Sequence, residues 1–200
     1  MAIRYPNGKK YEAKRILSSK KNVKHKDERF SNRGMTLEED INETNEYYRT
    51  HGIANIHKKP LPLQIVNVHY PRRSAAVVTE AYFKKPSTTD YNGVYRGIHL
   101  DFEAKETRNK TSFPFKNFHQ HQIDHMKDVI KHGGFCFLLL RFSQSGEVFL
   151  VKTEDFLPYY EDSETKKKSL PKSTVESIGF PVSIGYHPRI DYIAALQKLL

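Results

Sequence analysis

Cysteine is almost missing from this chain. The one cysteine, Cys136, excludes an internal disulfide and a cysteine-built zinc site. It stands between Phe135 and Phe137 and reads as a small core filler, not a catalytic thiol. Long apolar runs are absent as well. The longest, Phe135 to Leu140, has the length of a buried strand and cannot span a bilayer. No apolar signal core follows the basic amino-terminal stretch, so secretion is not expected. Gly133-Gly134 lacks a following Lys-Ser/Thr, so there is no phosphate-cradling loop, and no Gly-x-Ser-x-Gly supports a serine hydrolase. His121 and His125 have the spacing of a helical zinc pair, but Gln122 stands where a metalloprotease carries its base. His119, His121 and His125 therefore read as solvent-facing or DNA-facing.

Acidic residues are outnumbered, 23 against 33 Lys and Arg, for a net charge of +10. The excess is concentrated. Residues 1–33 hold eleven basic and three acidic residues, or +8, which leaves +2 for the rest. A basic tail on a nearly neutral body suits a polyanion, because displacing counterions from phosphates drives association. The alternative is a solvated tail with no partner. Residues 1–32 lack sustained apolar periodicity and are expected to be a disordered tail, with one folded domain over 33–200.

Within that domain, Thr36-Leu37-Glu38-Glu39 fits a capping box. The helix it opens places Leu37, Ile41 and Tyr48 on one face, leaves its outer side acidic and stops at Gly52. Strand-like runs follow at Ile53 to His57, Leu63 to Tyr70 (stopping at Pro71) and Ala75 to Phe83. The prolines and basic pairs around 60–75 suggest a protruding, edge-like excursion. Asn117 can cap a helix to about Lys131 that turns Phe118, Met126, Val129 and Ile130 inward. Phe135 to Phe142 and Glu147 to Lys152 read as a hairpin, residues 161–173 as a charged loop and Ile190 to Leu200 as a closing helix. This order implies a mixed α/β fold, a β-sheet flanked by helices.

The chemistry concentrates between Asp90 and Lys105. On a strand, Asp101, Glu103 and Lys105 point to one face and Leu100, Phe102 and Ala104 to the other. Glu103 and Lys105 would lie about 6.6 Å apart along the strand. If Arg96-Gly97 is the turn, Asp90 falls opposite Glu103, with Cβ atoms about 4.5–5.5 Å apart. Like charges that close call for a cation, and oxygen ligands favour Mg²⁺ or Mn²⁺ over zinc. Asn92-Gly93 is the stronger hairpin signal, yet it would separate the carboxylates. The later turn is preferred because it leaves a strand long enough to pair with Ile98 to Lys105. The triplet Glu-x-Lys also occurs at Glu12 and Glu164, but only the copy at Glu103 has strand alternation and an upstream acid. Its bland reading is a surface ladder of opposite charges.

The Asp90…Glu103-Ala104-Lys105 arrangement resembles the PD-(D/E)xK nuclease superfamily. Longer blocks resemble the RecU Holliday junction resolvases of Gram-positive bacteria: Ile3 to Gly8, Ser31 to Met35, Ile56 to Pro60, Ser87 to Tyr91 and Asp101 to Thr107. The resemblance covers essentially the whole chain. Thr89 replaces the superfamily's proline before the first acid, a departure that RecU-like sequences share. The resemblance implies a restriction-endonuclease-like core with a protruding β stalk at about 60–75. It implies a Mg²⁺-dependent homodimer that nicks two opposed strands of a four-way junction and leaves 5′-phosphate and 3′-hydroxyl ends. Carried over by position, Thr88, Asp90, Glu103 and Gln122 would hold the metal, Asp90, Glu103 and Lys105 would be catalytic, and Arg33, Lys58, Arg72 and Arg73 would contact the junction. A cytoplasmic, nucleoid-associated bacterial protein is implied, with a RecA-type recombinase and branch-migration proteins as further partners. Two rivals stand beside this reading: a non-catalytic DNA-binding or strand-annealing protein, and a duplex-specific nuclease of the same superfamily.

Overall fold

A computed structural model describes residues 35–72, 75–84, 88–163 and 168–200. The expected tail over residues 1–32, with Arg33 and Arg73, lies outside the described residues. Thr36 caps helix α1 (Leu37–Thr50), and the reciprocal bonds of the capping box are both made. His51 is the C-cap and Gly52 follows with φ +63°, so the chain leaves the helix where the sequence reading put its stop. Leu37, Ile41 and Tyr48 are buried as expected. Asp40 departs from the acidic outer side: it is buried, with Oδ2 2.7 Å from Arg141 Nη1 and Oδ1 3.0 Å from Arg189 Nε.

The central sheet has six strands in the order β1 (Asn55–Lys58), β4 (Tyr91–Tyr95), β5 (Ile98–Thr107), β7 (Phe135–Phe142), β8 (Glu147–Lys152), β10 (Gly179–Pro181). Only β5 and β7 run parallel. A parallel pair needs a crossover, here β6 (Ser112–Pro114), a 3₁₀ turn and α2 (Gln120–Lys131). On one face of the sheet, Leu100, Phe102, Phe137 and Leu139 pack with residues of α1 and of α5 (Tyr192–Leu196). On the other, Leu138 and Leu140 pack with Ile123 and Met126 of α2, Phe156 of α3 (Thr153–Ser163) and Val175 of α4 (Lys172–Ile178). Cys136 belongs to this second core, and burial pushes its thiol up to about 12. A mixed sheet between helical layers is thus the architecture expected from the sequence.

Strands β2 (Leu63–Arg72) and β3 (Ala75–Phe83) form a separate two-stranded sheet whose residues are mostly exposed. The excursion expected at 60–75 is the first half of this hairpin, and the return strand carries it to Phe83. Pro71 does not end β2. It sits in an irregular stretch between the pairs His69↔Val77 and Arg72↔Ala75, where no ladder donor is required.

Other expectations change at element ends. Helix α2 begins at Gln120, not after Asn117, because residues Phe115–Asn117 close a 3₁₀ turn first. The charged stretch expected as loop over 161–173 contains the end of α3, the strand β9 (Ser169–Pro171) paired with β6, and the start of α4. The closing helix is only five residues, Tyr192–Leu196. It is preceded by Ile190–Asp191 (β12), which pairs with Ser183–Ile184 (β11).

Candidate functional site

Strands β4 and β5 meet through a turn at Arg96 and Gly97 with φ of 48° and 80°. Two left-handed residues in succession are what a two-residue type I′ hairpin requires. Tyr91 pairs with Phe102 and Tyr95 with Ile98, the register of the later turn. The stronger local signal, Asn92-Gly93, lies inside β4. Gly93 is needed there for a different reason: a Cβ would come 2.2 Å from the carbonyl oxygen of Asn55, so β1 could not pair at this point.

Packing on the far face locks this register. Tyr91 stacks on Phe102 at 4.9 Å between centroids and Phe102 stacks on Phe137 at 4.6 Å, an aromatic ladder across three strands. Such pairs contribute about 0.5–1.5 kcal/mol each beyond their burial. A one-residue slip would turn Tyr91 or Phe102 out of the core. The residue before Tyr91 is Asp90 and the residue after Phe102 is Glu103, so the ladder also fixes these two side by side. The backbone N–H of Asp90 donates to Glu103 Oε2 at 3.1 Å.

Asp101, Glu103 and Lys105 share one face, as alternation predicts, but that face is more enclosed than expected. Asp101 is 2% exposed and Glu103 0%. Lys105 Nζ lies 2.5 Å from Glu103 Oε1 as an ion pair without hydrogen-bond alignment, so this oxygen has no aligned donor. Burial, followed by its hydrogen bond with the Asp90 side chain, pushes the Glu103 carboxyl up to about 8, while the Lys105 charge pulls the other way. Without a cation, the pocket thus disfavours ionised Glu103.

Thr88, Asp90 and Gln122 line one cleft of about 450 Å³, with Lys58, Lys59 and His119 on its walls, a volume typical of binding sites. Gln122, at the third position of α2, accepts from the His119 N–H through Oε1 at 3.1 Å. That bond ties the amide to the start of its own helix at the cleft wall and leaves the oxygen a second lone pair. Glu103 and Lys105 are not among the residues that line this cleft; Glu103 lies buried behind Asp90, and the two carboxylates with the Thr88 hydroxyl and the Gln122 amide oxygen would make a hard-oxygen donor set. The under-coordinated Glu103 Oε1 is the buried atom that such a set would supply to a cation. Among the described residues, no three His, Cys, Asp or Glu side chains gather as a metal cluster.

The remaining candidates are dispersed. Lys58 pairs with Glu38 on the cleft wall, and Arg72 is exposed at the end of β2. His119 and His121 stack on each other at 5.5 Å. His125 is partly exposed, and one edge of its ring turns to a buried carboxylate. Its Nε2 is 3.3 Å from Asp101 Oδ2 and 3.3 Å from Lys59 Nζ. Lys59, Thr89 and His125 around Asp101 were missed from the sequence. The available signal was Asp101 itself, since a carboxylate on the inward face of a strand demands a counter-charge.

The chain matches the family model described as "Recombination protein U" over residues 32–198. "Holliday junction resolvase RecU" of Geobacillus sp. (strain WCH70) is 56% identical over 200 residues, spanning 100% of this chain and 98% of that protein. Proteins of the same name from Bacillus cereus (strain B4264) and Geobacillus kaustophilus (strain HTA426) are 55% and 53% identical with the same coverage. The matched span includes Asp90, the carboxylate-bearing strand β5, the exposed hairpin and the helix that lines the cleft, and on that ground this chain belongs to the RecU family.

Proposed function

We propose that this chain is a Mg²⁺-dependent endonuclease that resolves four-way DNA junctions by nicking two opposed strands, with Mn²⁺ able to substitute. The observation that carries this reading is the contact between Asp90 and the buried Glu103, with Lys105 Nζ 2.5 Å away, in a chain of the RecU family.

Asp90, Glu103, Thr88 and Gln122 would hold the cation. A divalent ion held there lowers the pKa of a bound water and polarises a phosphoryl oxygen. Lys105 shares the Glu103 carboxylate and is therefore held where its charge can orient the attacking water and offset charge developing on phosphorus. Burial of Glu103 strengthens each of these electrostatic effects relative to water.

Lys58 on the cleft wall and Arg72 on the hairpin are the proposed junction contacts among the described residues, together with Arg33 and Arg73. The hairpin, with the apolar side chains Ile65, Tyr70, Val77 and Tyr82 exposed, is the proposed stalk. The +8 of residues 1–33 would add sequence-independent phosphate contacts and salt-sensitive affinity. A two-fold homodimer would supply two equal sites for paired incision. Bacterial cytoplasm follows from the substrate, and no described helix is long and apolar enough to cross a membrane. A RecA-type recombinase and branch-migration proteins are proposed as further partners.

The test is cleavage of a synthetic mobile junction with and without Mg²⁺. Asp90→Ala and Glu103→Ala should keep junction binding and lose Mg²⁺-dependent cutting. Cleavage by both variants would remove the site assignment, and equal cutting of linear duplex would favour a duplex-specific nuclease.

A further inference from the structure

Beside the two carboxylates lies a second buried polar group that no step of the hydrolysis uses. The Thr89 hydroxyl donates to Asp101 Oδ1. Lys59 Nζ donates to Thr89 Oγ1 at 2.9 Å and to Asp101 Oδ2 at 2.7 Å, which closes a ring of three side chains. His125 Nε2 reaches Asp101 Oδ2 at 3.3 Å from α2. Thr89 and Asp101 are each 2% exposed, and the Lys59 side chain is 16% exposed.

The ring is attached to the site by the backbone. The Lys59 N–H donates to the Asp90 carbonyl at 2.7 Å, and the Asp90 N–H donates to Glu103 Oε2. Both peptide groups of Asp90 are therefore tied, one to the end of β1 and the other to β5. Thr89, the preceding residue, is held by its hydroxyl between the same two elements.

Segment 88–90 is not itself a strand; β4 begins only at Tyr91. No sheet ladder fixes its conformation. A proline before the acid, as in the superfamily pattern, would restrain φ at that position through its ring. Thr89 has no such restraint, and the hydrogen-bonded ring supplies one from outside. A buried ion pair is a poor source of net stability, because desolvation offsets much of the attraction. Its effect here is geometric: two charges and a hydroxyl bond one another between the end of β1 and β5.

We propose that Lys59, Thr89 and Asp101 are positioning residues that hold Asp90 in register with Glu103 for cation binding. The proposal rests on the nuclease reading of Asp90 and Glu103 and assigns work to three side chains that reading leaves idle. Lys59 and Asp101 are bonded to each other and to Thr89. They act through the backbone and hydroxyl of the intervening segment.

The decisive variants are Thr89→Val, which keeps shape and removes the hydroxyl, and Thr89→Ser, which restores it. Lys59→Met and Asp101→Asn are supporting variants whose folding is checked first by circular dichroism. For each, kcat and KM on a mobile four-way junction, junction affinity in chelator and Mn²⁺ affinity by calorimetry are measured, with Glu103→Gln alongside. Thr89→Val should lower kcat and weaken Mn²⁺ binding, each by about 10–100-fold as for loss of an outer-shell orienting group, with KM and junction affinity unchanged. Thr89→Ser should recover both. Wild-type kcat and Mn²⁺ affinity in Thr89→Val would overturn the proposal, as would a lowered melting temperature with neither quantity moved. Glu103→Gln separates the two levels. If it still cleaves, the nuclease assignment itself fails; if it is silent while Thr89→Val is normal, only the positioning role fails.

Discussion

Asp90 donates its backbone N–H to the buried carboxylate of Glu103 across the β4–β5 junction at 3.1 Å. The acidic residue that leads into β4 is thus attached to the acidic residue in the middle of β5, and Lys105 neutralises the pair from one side only. Lys105 pairs with Glu103 alone, an arrangement that suits the cation proposed above.

Removal of Lys105 charge is expected to act on turnover. Lys105→Met keeps the aliphatic stem and should reduce kcat by about 10²–10³-fold, the usual cost of losing one preorganised charge partner. Junction affinity should change little. Single-turnover cleavage on a labelled junction measures it, and an unaltered rate would place the transition-state charge elsewhere.

Metal removal should expose the burial of Glu103. In chelator, the folded chain holds the Glu103 proton up to about pH 8, whereas its ordinary value is 4.5. Between those values the folded state binds more protons than the unfolded state. The stabilising contribution is therefore complete below 4.5 and is lost as pH rises through about 8. The groups facing Glu103 are Asp90, which raises its value, and Lys105, which lowers it. Wild-type melting temperature should fall with rising pH in chelator more steeply than that of Glu103→Gln. Added Mg²⁺ should remove most of the wild-type fall, because a cation replaces the proton. Parallel pH profiles for the two proteins in chelator would contradict this.

Asp40 ties α1 to the rest of the domain through Arg141 and Arg189. Asp40→Ala would leave two mostly buried guanidiniums without their carboxylate. A loss of about 3–5 kcal/mol is expected from breaking such a group on one side. Urea denaturation reads it directly, and a change below about 1 kcal/mol, the level of an exposed pair, would show the triad to be well solvated.

Gly93→Val tests the close approach of β1 to β4. The added Cβ would meet the Asn55 carbonyl at 2.2 Å and Ile56 Cα at 2.6 Å, both backbone atoms that cannot swing away. Destabilisation of about 1–3 kcal/mol is expected from this overpacking, with cleavage reduced because β1 carries Lys58 and leads into Lys59. A variant of wild-type stability would mean that β1 can shift freely.

Local chemistry determined a good deal of this protein from sequence alone. The Thr36 capping box, the Gly52 stop, the alternation of Leu100-Asp101-Phe102-Glu103-Ala104-Lys105 and the run Phe135–Phe142 all express periodicity and end-capping that act within a few residues. The pairing of Asp90 with Glu103 needed one further choice, between two hairpin turns. Local turn propensity pointed to Asn92-Gly93. Strand length pointed to Arg96-Gly97, which the aromatic ladder and the approach of β1 enforce. Tertiary structure alone decided the rest. Lys59 lies 42 residues from Asp101 and His125 lies 24, so no spacing rule could join them. The two short helices after Ser163 exist because they pack on a core assembled elsewhere, and their own lengths of seven and five residues carry too little helix propensity to announce them. Periodicity is a property of neighbouring residues, whereas burial of Asp101 against Lys59 arises only when distant segments exclude the same water.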